Sequence, residues 1–119
     1  MDKNYHKDSF KNALWGLRHA FFEHPNFRIH LVLSIVVFSA SWYFEISKEE
    51  FLIILLTILL GFTVEFLNTA IESVCDLVTT EWNKDIKIAK DVSAAMMTVV
   101  ALGSIIIAAM IFLPYIFSI

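Results

Sequence analysis

The sequence predicts an all-α membrane protein: an N-terminal amphipathic surface helix followed by three transmembrane helices. Three observations carry that prediction. The chain is 58% hydrophobic and only 18% charged over 119 residues, and a small soluble domain has too high a surface-to-volume ratio to hide so much apolar surface. Three long runs carry no Asp, Glu, Lys or Arg: 29–44, "FLIILLTILLGFTV" at 51–64 and everything after Asp91. The apolar-polar alternation of a barrel strand is absent, so the backbone groups of a lipid-embedded segment must be satisfied within helices. The length suits one domain, 1–119. A net charge of -3 offers no basic footprint for nucleic acid. The single cysteine, Cys75, excludes an internal disulfide and reads as a small packing residue.

The elements follow in order. Residues 9–24 read as the surface helix: Phe10, Leu14, Leu17 and Phe21 recur on one face, while Lys11, Asn12, Arg18 and His19 occupy the others. Such a segment lies in the plane of the interface. Pro25 in "EHPN" breaks it. The polar N-terminus lacks the apolar core and small-residue site of a cleavable signal. The first span, 29–46, is short for a bilayer, which needs about 20 helical residues. His30 at one end and Trp42 and Tyr43 at the other are expected at its interfaces, where amphipathic rings are favoured. The second span is 51–75, the third 92–116, with a cytoplasmic loop at 76–91 between them.

Orientation follows from the basic residues. Lys3, Lys7, Lys11, Arg18 and Arg28 precede the first span, Lys48 alone lies in the first loop, and Lys84, Lys87 and Lys90 lie in the second. Positive charge stays inside, so the N-terminus and the 76–91 loop are expected in the cytoplasm and the C-terminus outside.

The apolar second span carries an anomaly, "EFLNTAIESVCD" at 65–76. At 100° per residue Glu65, Asn68, Glu72 and Asp76 lie at about 0°, -60°, -20° and +20°, one polar stripe that reaches the cytoplasmic end from about three turns deeper. A carboxylate at mid-span costs roughly 2.5–3.5 kcal/mol on insertion scales, so the stripe must face protein or a wet cavity. Several carboxylates can hold a divalent cation, and one can act as a base. "AKD" at 89–91 adds Lys90, a point charge suited to phosphate. Alone, Lys90 reads as a snorkelling lysine and Asp91 as a helix N-cap. Beside the stripe they suggest phosphoryl transfer to a lipid alcohol. A helix-pairing protein without enzymatic activity and an ion carrier are the readings of other classes. No P-loop or protein-kinase motif is present.

These residues resemble the prokaryotic integral-membrane diacylglycerol kinases, a family that includes undecaprenol kinases. The match lies in E-x-x-N-[ST]-A-I-E-x-x-x-D at 65–76, in "AKD", and in "GL" followed by an aromatic-rich helix and "NFRIH" at 26–30; it covers essentially the whole chain. The resemblance implies a homotrimer with active sites shared between subunits, ATP and Mg2+ as co-substrate and cofactor, and a lipid alcohol, diacylglycerol or undecaprenol, entering from the bilayer. It makes Glu65 the base, supported by Asn68, and Glu72 the metal ligand. Glu72, Lys90, Asp91 and, by position, Glu81, Trp82 and Asn83 belong to the nucleotide site. Arg18 and Asn26 join Glu65 on the lipid side. One departure concerns the second metal-binding glutamate, whose position holds His24, preceded by Glu23; Glu23 is the expected ligand and His24 the alternative. Another is Ala94, where some members have a serine near the lipid.

Overall fold

A computed structural model describes residues 8–118. The described residues form four helices: α1 (Ser9–Glu23), α2 (Pro25–Tyr43), α3 (Lys48–Val78) and α4 (Lys84–Phe117). Lys3 and Lys7, part of the charge bias, lie outside the described residues.

The break between α1 and α2 is local chemistry. His24 leaves the helical region (φ -119°, ψ 105°) and serves both as the C-cap of α1 and as the N-cap of α2. The residue before a proline is pushed toward extended backbone. Pro25, lacking an N–H, then suits the first turn of α2. Arg28 reaches back over the corner, its Nη1 donating to the carbonyls of Phe21 (3.0 Å) and Phe22 (3.1 Å). These are orphan carbonyls at the end of α1.

The α2–α3 turn contains Glu45 at φ +49°, and α3 then starts with a capping box. Ser47 Oγ accepts from the Glu50 amide (3.1 Å) while Glu50 Oε1 accepts from the Ser47 amide (3.0 Å), satisfying two N-terminal donors reciprocally. α3 has 31 residues and α4 has 34, or about 46 and 51 Å at 1.5 Å per residue. Both exceed the roughly 30 Å hydrocarbon core.

These two helices are long and apolar enough to cross a membrane. Only 22% of the apolar window of α3 and 11% of that of α4 is buried within the chain, unlike the core helix of a soluble protein. α2, where the first span was expected, has 19 residues and a polar opening that includes Asn26, Arg28 and His30, and it falls outside that class.

The connection between α3 and α4 is much shorter than 76–91. Only residues 79–83 leave the helices. Asn83 is the reason: its Oδ1 accepts from the amides of Asp85 (3.0 Å) and Ile86 (3.1 Å), capping α4 two turns earlier than an N-cap at Asp91 would. Asp91 is therefore a helix-interior residue.

α3 and α4 run antiparallel and pack along most of their length, with α2 against α3. At the end remote from residues 79–83, Ile54, Ile111 and Phe112 form a small buried core joined by Val37, Phe44 and Ile107. Tyr115 of α4 donates to Glu50 Oε1 there at 2.5 Å.

Candidate active site

The polar stripe of α3 faces α4. Asp76 Oδ1 pairs with Lys90 Nζ at 2.6 Å. Deeper, Asn68 Oδ1 accepts from Ser93 Oγ at 2.6 Å. Deeper still, Glu65 and Met97 line one cavity. Lys90, Ser93 and Met97 follow i, i+3, i+7 spacing, one face of α4, and meet the stripe in antiparallel register. The two faces make a ladder from water to a buried acid.

Exposure falls along that ladder. Asp76 and Glu72 are exposed, Asn68 is half-buried, and Glu65 is 6% exposed. Glu72 and Asp76 both lie within electrostatic range of Lys90. Lys90 therefore stands at the water-facing end of the ladder, paired with Asp76 and near Glu72.

Glu65 closes one end of an apolar cavity of about 370 Å³ between α2, α3 and α4. The cavity extends along α3 to Ile54 and along α4 from Met97 to Ala108. Eleven residue rises along either helix make it about 16 Å long, near half the hydrocarbon thickness. Its few polar groups, His30, Ser34, Thr57 and Ser104, are mostly engaged. The three hydroxyls donate to carbonyls four residues back. What remains at the Glu65 end is a carboxyl beside an apolar slot.

His30 packs against α3, its ring edge-on to Phe62 with centroids 4.2 Å apart and its Nε2 3.4 Å from the Ile58 carbonyl oxygen. The close approach requires Gly61, where a Cβ would lie 2.3 Å from His30 Cε1. His30 and His24 are the two histidines within electrostatic range of Glu65. The sequence signal for His30 was a lone imidazole inside an apolar helix, and for Ser93 a hydroxyl one turn beyond Lys90.

The remaining expected site residues are less gathered. Lys87 Nζ bonds Asp91 Oδ2 at 2.5 Å, an exposed pair on the α4 surface. Glu81 and Trp82 are exposed in the α3–α4 turn, and the Asn83 side chain is committed to its cap. Arg18 stands over the Phe22 ring at 5.7 Å, and Asn26 is exposed in the first turn of α2. Glu23 is exposed and His24 half-buried. Among the described residues no three His, Cys, Asp or Glu side chains come together as a metal-holding group. Mg2+ is commonly held by one or two carboxylates together with substrate phosphates and water, and Glu72, an exposed oxygen donor beside Lys90, fits that role.

The model of the prokaryotic diacylglycerol kinase family matches residues 11–112. The chain belongs to this family. As a prokaryotic diacylglycerol kinase family member it groups with bacterial integral-membrane proteins, in keeping with its two long apolar helices. It is 34% identical over 111 residues to a diacylglycerol kinase of Synechocystis, covering 92% of this chain and 63% of that protein. It is 38% identical over 106 residues to an undecaprenol kinase of Bacillus subtilis, covering 89% and 86%. A diacylglycerol kinase of Haemophilus influenzae is 31% identical over 88 residues, covering 74% and 75%. The chain thus spans under two thirds of the Synechocystis relative's length. The family and these relatives carry the names of lipid kinases.

Proposed function

We propose that this family member transfers the γ-phosphoryl group of ATP directly to the primary hydroxyl of diacylglycerol, giving phosphatidic acid, at the cytoplasmic membrane surface. The observation that carries the reading is Glu65, a buried carboxyl at the end of an apolar cavity and at the head of a polar ladder open to water. A lipid chain in the cavity leaves its hydroxyl beside Glu65, which takes the proton as the oxygen attacks phosphorus. Asn68 supports that carboxyl. Lys90 exchanges Asp76 for a phosphate oxygen, and Asp91, Glu81, Trp82 and Asn83 line the nucleotide's approach. Catalysis is then mostly positioning and charge stabilisation.

Glu72 would hold Mg2+, with Glu23, or His24 in its place, as a second protein ligand. The ion neutralises charge on the transferred phosphate when bound. A carboxylate is the better partner, because magnesium prefers oxygen. Arg18 and Asn26 flank the lipid headgroup. We read α2 as the third span, the N-terminus as cytoplasmic and the assembly as a homotrimer whose neighbours complete each site.

Undecaprenol is the second reading, favoured by the 38% identity to an undecaprenol kinase over most of both chains. Both alcohols are primary, so the same base serves either. The test supplies labelled ATP, Mg2+ and one lipid alcohol at a time to the purified protein in mixed micelles. Labelled phosphatidic acid supports the first reading and labelled undecaprenyl phosphate the second. Label on neither lipid refutes both.

A further inference from the structure

Most helix-interior hydroxyls in this chain bond locally. Those of Ser34, Ser41, Thr57, Thr98 and Ser104 donate to the carbonyl four residues back, the usual satisfaction of a helical Ser or Thr. Ser93 breaks the pattern. It is 2% exposed, and its Oγ donates across to α3, to Asn68 Oδ1 at 2.6 Å.

That choice has a consequence for Asn68. A carboxamide has one acceptor oxygen and two N–H donors. With Oδ1 engaged by α4, the Nδ2 hydrogens are what the side chain has left to offer. Glu65 lies three residues before Asn68 and Glu72 four residues after it, both on its face of α3. A carbonyl oxygen turned toward two carboxylates, or toward a phosphate, would set negative against negative. N–H donors in that place stabilise either one.

We infer that Ser93 is a positioning residue: its hydroxyl ties the Asn68 carboxamide to α4 through Oδ1, which leaves the Nδ2 hydrogens for the Glu65–Glu72 face. The catalytic consequence rests on the phosphoryl-transfer reading; the hold on Asn68 does not. Ala94, at the position where some family members have a serine, is exposed, while its neighbour Ser93 points into the helix interface.

The experiment compares Ser93→Ala and Ser93→Thr with wild type in detergent, using ATP, Mg2+ and the lipid alcohol that wild type phosphorylates. Ser93→Ala should lower kcat roughly tenfold, the worth of one buried hydrogen bond, and move KM for either substrate less than about twofold. Ser93→Thr, which keeps the hydroxyl, should recover most of the rate. In 15N spectra the Asn68 side-chain NH2 signal should move in Ser93→Ala. A Ser93→Ala enzyme with wild-type kcat overturns the inference, as does an unmoved Asn68 signal or a folded Ser93→Thr protein as slow as Ser93→Ala. If wild type phosphorylates neither lipid, the kinase reading falls, and the Asn68 signal alone decides whether Ser93 holds the carboxamide.

Discussion

Replacing Gly61 by alanine should destabilise the protein, although alanine is the better helix former. Two terms of opposite sign compete. In a helix interior Gly→Ala gains about 0.8–1 kcal/mol of propensity. Against it, the new Cβ would stand 2.3 Å from His30 Cε1 and 2.8 Å from Nε2, where ordinary contacts begin at 3.4 Å. The ring cannot simply step aside, because Phe62 lies against it edge-on and the Ile58 carbonyl meets its Nε2. Overpacking of this kind costs typically 1–3 kcal/mol, so the net change is a loss of about 0–2 kcal/mol. The sharper test is the change of sign. In a His30→Ala background the obstacle is gone, and Gly61→Ala should then stabilise by up to about 1 kcal/mol. Unfolding of wild type, both single variants and the double variant in one detergent measures the coupling. A Gly61→Ala effect of the same sign and size in both backgrounds would refute the close packing of His30 on α3.

Glu65→Gln should abolish phosphoryl transfer while leaving unfolding unchanged or improved, since it removes a buried carboxyl with no close partner of opposite charge; retained turnover would remove Glu65 from the base role. Glu72→Gln should raise the Mg2+ concentration needed for half-maximal rate, and a magnesium titration of the variant checks it. Lys90→Ala should raise KM for ATP yet change the unfolding temperature little, because its pair with Asp76 is exposed and such pairs contribute little. Asn83→Ala should cost about 1 kcal/mol by uncapping α4, and hydrogen exchange should quicken in that helix's first turn.

Much of this was legible in the chain alone. The charge-free runs mark α3 and α4, Pro25 marks the α1–α2 corner, and helical angles gather Glu65, Asn68, Glu72 and Asp76 onto one stripe. Each of these is a property of one segment, set by local backbone geometry and the period of its residues. Helix ends were less legible, because caps at Asn83 and Ser47 compete with other polar residues nearby and hydropathy does not rank them.

Tertiary structure decided what the stripe meets. Ser93 is 25 residues from Asn68 and Lys90 is 14 from Asp76, and no periodicity within one helix sets the register between two. That register comes from how side-chain shapes interdigitate along α3 and α4. The same holds for His30, whose place depends on the missing side chain of Gly61 on another helix. By itself the sequence determined that a costly acid stripe exists and which way it runs. Packing alone decided that its deepest acid lines an apolar cavity, that a lysine and a serine of α4 stand opposite the others, and that the His30 imidazole seats on Gly61. A helix carries its own period, but only contact between helices sets their offset.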